Sequence, residues 1–328
     1  MSLFSQGKTH SGRNLGPNWG YRFLFWMDGC LPAAFNRFAL RLGGRVAAAF
    51  LPEQRRHSKE YLRAILGRQP TRREVGNHFS RFAECFFLRL QVGNGKKPDV
   101  DFAEGNGTDF MELIRSRDPA LFGTVHVGHS DLVGFYLSQL GRKIHMVRLK
   151  VGNSEDLERL AERFSEFIQF IWINNSEEMF FALKKAAQEG CSLAMQCDRV
   201  EYSSRTDVFD FLGKQRLFPV TIYHLSLILD LPVVMSVAVP VGPSKAEVYT
   251  TDRFQPDRSA SRDENLARGR VHFQAFLRTL ESILDRDPYL WFNFLPLNPA
   301  IDSPTALSPH PTRNSFPVSD QNSLFKRR

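Results

Sequence analysis

The sequence predicts an α/β fold: a central, mostly parallel sheet flanked by helices, preceded by a basic helical region. Three observations predict it. From residue 120 onward, short apolar runs alternate with amphipathic helical patterns, as in strand–helix–strand units. Before residue 98 the apolar periodicity is helical and carries many arginines. The turn-rich stretch Asn94-Gly95-Lys96-Lys97-Pro98 separates the two regimes. The expected organisation is a flexible arm over 1–20, basic helices over 21–98, the α/β domain over 99–298, and a disordered Pro/Ser/Asn-rich tail over 299–328.

In order, the aromatic cluster Phe23, Phe25, Trp26, Met27 precedes Pro32, which is suited to open a helix reaching about Phe50. Its apolar stripe includes Phe35, Phe38, Leu42 and Val46, beside a basic row of Arg37, Arg41 and Arg45. Such a helix is either an interfacial anchor, with Trp26 and the arginines at the membrane, or an ordinary surface helix. A second helix spans about 53–66. Thr71 and Glu74 have capping-box spacing and open a third, core-facing one with Val75, Phe79, Phe82, Phe86 and Leu90. Strands are expected over 120–125, 143–149, 167–173, 191–197, 233–239 and 246–250. Helices are expected over 131–140, 154–166, 176–189, about 219–230, and 264–285.

Net charge is +8, and the first hundred residues hold 17 Lys and Arg against 6 Asp and Glu. The basic character therefore belongs to the N-terminal third, where an anionic membrane, an acidic carrier protein, nucleic acid or plain solvation could account for it. The helices there lack zinc-finger or recognition-helix character, which argues against nucleic acid. Cys30, Cys85, Cys191 and Cys197 have no CxxC spacing, so neither a zinc site nor a disulfide framework is expected. No apolar h-region starts the chain, and Tyr21 to Phe50 is interrupted by charges, so neither a signal peptide nor a spanning helix is expected. The 29 phenylalanines fit either a Phe-rich core or contact with acyl chains.

The chemistry concentrates at His126-Val127-Gly128-His129-Ser130-Asp131, between the strand 120–125 and the following helix. A histidine at a strand mouth with a carboxylate opening the next helix can act as base and orienter, in the place where α/β proteins bind ligands. No Gly-x-Ser-x-Gly elbow is present, so the base is expected to activate a hydroxyl brought by a substrate. Arg148 and Asp198-Arg199 close neighbouring strands and should reach the same rim. Either arginine, or backbone N–H groups near Gly128, could meet an oxyanion or a phosphate; an ion pair with Asp198 or Glu201 is the plainer alternative. His126, His129 and Asp131 lack the spacing of a binuclear metal cluster, and no metal is expected.

Together these residues resemble the lysophospholipid/lipid A late acyltransferase superfamily (lauroyl/myristoyl acyltransferase-like), in particular a branch described only as predicted acyltransferases. The matching residues are His126, Gly128 and Asp131 of a His-x4-Asp motif, then Arg148, Asp198-Arg199, Phe211-Leu212-Gly213, Phe218-Pro219, Pro232-Val233-Val234 and Pro288-Tyr289-Leu290-Trp291-Phe292-Asn293-Phe294, across most of 20–295. Position 129, usually Asn in the branch, is His; position 131, usually Glu, is Asp; and no Gly follows Phe218-Pro219. The resemblance implies transfer of a fatty acyl group from an acyl carrier protein or coenzyme A thioester to a hydroxyl or amine of a lipid-like acceptor. It also implies no covalent acyl-enzyme, no cofactor beyond the thioester, and a peripheral or monotopic place on the cytoplasmic face of a bacterial inner membrane. His126 would be the base, Asp131 its orienter, and Gly128, Arg148, Asp198, Arg199 and Gly213 would line the donor, acceptor and oxyanion side. An acyl thioesterase, or an inactive membrane- or carrier-binding protein, is the alternative.

Overall fold

A computed structural model describes residues 18–97, 99–105, 107–148, 162, 164–172, 176–242 and 244–301. Four helices come first: α1 (Asn18–Cys30), α2 (Ala33–Phe50), α3 (Pro52–Leu66) and α4 (Arg72–Gly93). Then follow β1 (Asp99–Phe102), α5 (Thr108–Ser116), β2 (Leu121–Thr124), a 3-10 turn at Ser130–Leu132, α6 (Val133–Gln139), β3 (Ile144–Arg148) and β4 (Ile168–Trp172). The chain continues through α7 (Ser176–Gln188), β5 (Ser192–Gln196), β6 (Thr206–Phe211), β7 (Lys214–Pro219), α8 (Thr221–Leu229), β8 (Val233–Pro240), β9 (Lys245–Thr250) and α9 (Arg262–Arg286). Most of the helix expected over 154–166, residues 1–17 of the expected arm, and the tail from 302 fall outside the described residues; positions 164–167 form a turn.

Seven strands make one sheet in the order β1-β9-β8-β2-β5-β3-β4. All neighbouring pairs are parallel except β8 with β9. The central strands are apolar on both faces because both faces are covered: β8 is buried along Val233–Val239 and β5 along Ser192–Met195. One core lies under α3, α4, α7, α8 and α9, with Tyr61, Phe79, Leu183, Tyr223, Phe273 and Trp291. The opposite face packs the C-terminal part of α4, α5 and α6, with Leu88, Phe110, Leu113 and Phe135. The break at 94–97 is a turn, but it divides no core, because α3 and α4 pack on the same side chains as the sheet.

The helical layer assembles by a close backbone approach. A Cβ on Gly44 of α2 would meet the Ser80 backbone of α4 at 2.6 Å, so only glycine allows the two helices this near. Ser80 Oγ donates to the Arg41 carbonyl (2.7 Å), Arg41 Nε to Glu84 (2.6 Å), and Arg45 to Asn77 (3.2 Å). Two of the three arginines in the expected basic row thus tie α2 to α4, leaving Arg37 exposed without that role. The capping box at Thr71 and Glu74 is present, and a second one at Ser261 and Glu264 starts α9.

Four elements lay beyond the sequence patterns: β1, α5, the β6–β7 hairpin and α1, which takes in residues 18–20 of the expected arm. In the hairpin, Leu212 and Gly213 both adopt positive φ (52° and 68°), the geometry of a two-residue primed turn. Leucine there is unusual, and its N–H is held by Glu281 of α9 at 2.6 Å.

Gly44→Val should destabilise the fold by about 1–3 kcal/mol, because the α2–α4 contact must open. Gly43→Ala, with nothing within 4 Å of its added methyl, should stabilise by about 0.5–1 kcal/mol instead. Urea unfolding of the two variants measures both; equal effects of one sign would show that the approach at Gly44 is not tight.

Candidate active site

The register of β2 against β5 builds the site. Thr124 is the last β2 residue paired, opposite Gln196, and Cys197 then donates to the Thr124 carbonyl at 2.7 Å. The residues two steps beyond, His126 and Asp198, therefore emerge side by side at the carboxyl edge of the parallel sheet, the usual ligand-binding edge of such folds. His126 Nδ1 lies 2.7 Å from Asp198 Oδ1, and the His126 backbone N–H donates to Asp198 Oδ2 at 3.0 Å.

Asp198 is fully buried and has further donors. The Trp291 indole N–H reaches Oδ2 at 2.9 Å, and Asn298 donates to the Asp198 carbonyl at 3.1 Å. Burial alone would raise this carboxyl, but His126 beside it, Arg199 and the indole hydrogen bond hold it down at about 2. An ionised carboxylate only accepts, so the His126 Nδ1 carries a proton and Nε2 is the ring nitrogen on the side away from Asp198. The histidine side chain is 16% exposed while its partner is sealed. That is the geometry of a base with an orienting carboxylate behind it.

The rest of the loop is pinned from two sides. Phe292 N–H donates to the His126 carbonyl (2.7 Å), Gly128 N–H to Leu290 (2.9 Å) and His129 N–H to Ala238 (2.7 Å). Val127 and Ser130 also spend their N–H groups on nearby carbonyls, Val125 and Val127. Gly128 has φ +53°, and a Cβ there would strike the Ala238 carbonyl at 2.6 Å, so this position requires glycine. The expected amide donors near Gly128 are thus committed to holding the loop in place.

The structure brings His126, Asp198 and Arg199 together and places Arg148 at the carboxyl end of β3, on the other side of β5. The Arg148 guanidinium lies 5.9 Å from the Phe170 ring centroid. Gly213 is elsewhere, at the exposed tip of the β6–β7 hairpin. Asp131 sits in the 3-10 turn after the loop; its side chain lies outside the described residues. Trp26 is exposed and stacks on Phe23 at 5.9 Å between centroids.

The sequence motif contains Trp291 without assigning it a task, and nothing in it singles out His78. On α4, His78 Nε2–H donates to the Trp291 carbonyl (2.9 Å), and its Nδ1 accepts from Ser58 of α3 (2.8 Å). Its ring stacks on Phe294 at 4.6 Å. Burial pushes His78 down to about 4, which keeps it neutral in that tautomer. A histidine among phenylalanines on a helix face reads as one more packing residue, so nothing local marked it.

No protein-family model matches the chain, and no curated protein sequence matches it. Among solved structures it is similar to the crystal structure of the 1-acyl-sn-glycerophosphate (LPA) acyltransferase PlsC from Thermotoga maritima. The likeness covers 76% of this chain and 98% of that one, at 12% identity and a TM-score of 0.36. At that level it carries no inference about activity.

Stability should follow pH in two steps. The folded His78 binds its proton only near pH 4, against an ordinary 6.5, so stability present above 6.5 is lost as pH falls toward 4, by about 3 kcal/mol. His129, also lowered to about 4 by burial and by Arg81, adds in the same window. The share from Asp198 is present above 3.8 and lost as pH falls toward 2. Urea midpoints at pH 7.5, 6 and 4.5 measure the first step, and His78→Asn should flatten it; an unchanged slope would mean that His78 is not buried neutral.

Proposed function

We propose that this chain is an acyltransferase of the lipid A late acyltransferase-like kind. It would move a fatty acyl group from an acyl carrier protein or coenzyme A thioester to a hydroxyl or amine of a lipid-like acceptor. The observation that carries the proposal is the His126–Asp198 pair, at 2.7 Å, on the carboxyl rim of the sheet, with His126 also opening the His-x4-Asp motif that ends at Asp131.

His126 Nε2 takes the proton from the acceptor hydroxyl as its oxygen attacks the thioester carbonyl carbon. Asp198, held ionised behind Nδ1, stabilises the imidazolium that results. Negative charge collects on the former carbonyl oxygen. With the amides of the Gly128 loop committed within the fold, Arg199 and Arg148 are the side chains proposed to meet that charge. Collapse expels the thiolate, which takes the proton from His126. No covalent acyl-enzyme and no cofactor are required. Asp131, the carboxylate that the motif implies, would add to the stabilisation of that imidazolium.

Membrane docking is the second part of the proposal. The α1–α2 surface exposes Phe23, Trp26, Phe35, Phe38, Leu42, Val46 and Phe50, with relative exposures of 49–78%. The α2 face made by Asn36, Leu40, Gly44 and Ala48 is meanwhile buried. An apolar face of this extent, on the far side from the α4 contact, suits the acyl boundary of a bilayer and a peripheral enzyme whose acceptor is a lipid. Among the described residues no helix is long and apolar enough to cross a membrane.

Thiol release from acyl-CoA and acyl carrier protein thioesters, with total bacterial lipid as acceptor, tests the first part. His126→Ala should lower lipid-dependent release by about 10²–10⁴. Asp198→Asn should approach the same loss, whereas Asp131→Asn measures the contribution of the second carboxylate separately. Release that needs no lipid would identify a thioesterase, and activity that survives His126→Ala would dismiss the dyad. For the second part, Phe38→Asp with Leu42→Asp should abolish sedimentation with phosphatidylglycerol-containing vesicles while the fold is retained; undiminished binding would reject α2 as the contact.

A further inference from the structure

The opposite edge of the sheet holds a second cluster of chemically active side chains. In the β3–β5 register His145 lies opposite Leu193 and Ile144 opposite Ser192. Alternation then turns His145 and Cys191, the residue leading into β5, toward the sheet face that α7 covers. Cys191 packs with Leu183 and Ala186 of α7 in the core on that face. The chain leaves α7 through Glu189 and Gly190, whose positive φ (74°) makes the tight return into β5. As a result a His145 ring nitrogen, a Glu189 carboxylate oxygen and the Cys191 sulfur all lie within 4.8 Å of one another.

We propose that His145, Glu189 and Cys191 form a binding site for one divalent ion of the zinc type. The donor set selects the metal class. Thiolate and imidazole favour a borderline-soft ion, whereas magnesium and calcium require oxygen ligands. In a tetrahedral zinc centre the ligand atoms stand roughly 3.5 Å apart, so the three side chains would draw together on the ion, with water as the fourth ligand. On binding, the Cys191 S–H proton passes to solvent as the S–Zn bond forms. Cys191 is buried and His145 half-buried, while Glu189 is exposed and otherwise only 3.9 Å from Lys185, a weak surface pair that the ion can displace. The ion would fasten the end of α7 to β3 and β5. It sits at the amino edge of the strands, away from the His126 rim, so its role is to hold the fold, and it takes no part in acyl transfer.

The test needs no substrate. The full-length protein, stripped with a chelator, is titrated with Zn²⁺ by calorimetry and with Co²⁺ by absorption. The expected result is one ion per chain, a thiolate-to-cobalt band in the near ultraviolet, and a higher thermal midpoint with Zn²⁺. Cys191→Ser should remove the band, and His145→Gln should weaken affinity by more than the roughly 10–100-fold that loss of an outer-shell partner costs. In the unaltered protein Zn²⁺ should also protect Cys191 from alkylation while leaving the exposed Cys30 reactive. No binding, a band that persists in Cys191→Ser, or alkylation of Cys191 at the same rate with and without Zn²⁺ would overturn the proposal.

Discussion

A single buried carboxylate constrains most of this structure. Asp198 has no access to water, so its charge must be met by donors that the fold supplies. It finds them in the His126 ring and backbone and the Trp291 indole, with the positive charge of the adjacent Arg199 beside it. The donors come from two distant parts of the chain, so satisfying this one group aligns the ends of β2 and β5 and the segment that follows α9. Removing any donor would leave charge buried and underpaired, a costly defect.

The N-terminal helices join the same network. Tyr61 donates to the Pro288 carbonyl at 2.8 Å and His78 to the Trp291 carbonyl, so α3 and α4 hold the backbone of the segment whose indole holds Asp198. From Ser58 to His126 the connection runs through hydrogen bonds of 2.7–2.9 Å, closed on both sides by aromatic rings. The helical layer is therefore part of the site's framework. Its outer surface carries exposed apolar side chains while its inner surface sets the position of His126.

The sheet also separates tasks by edge. At the carboxyl edge the loops carry the dyad and its arginines; at the amino edge the strands meet helix ends and turns. Phenylalanine abundance serves this architecture mainly as packing, in edge-on pairs such as Phe209 with Phe273 (5.0 Å) and Phe211 with Phe218 (5.2 Å). Among the described residues, the strongly exposed rings gather on α1 and α2, apart from Phe181 on α7.

The sequence by itself determined the α/β class, most of the strands, the Thr71–Glu74 capping box, and the convergence of His126, Arg148 and Asp198-Arg199 on strand ends. These are local properties, set by periodicity, capping and the alternation of elements along the chain. It did not determine which carboxylate sits behind His126. Proximity in sequence pointed to Asp131, but strand register put Asp198 on Nδ1, because parallel pairing of β2 with β5 joins residues 72 positions apart. Nor did it reveal His78, the spent amides around Gly128, or the pairing of Arg41 and Arg45 with α4. Each of these depends on what another element places opposite a residue, and only the tertiary structure decides that.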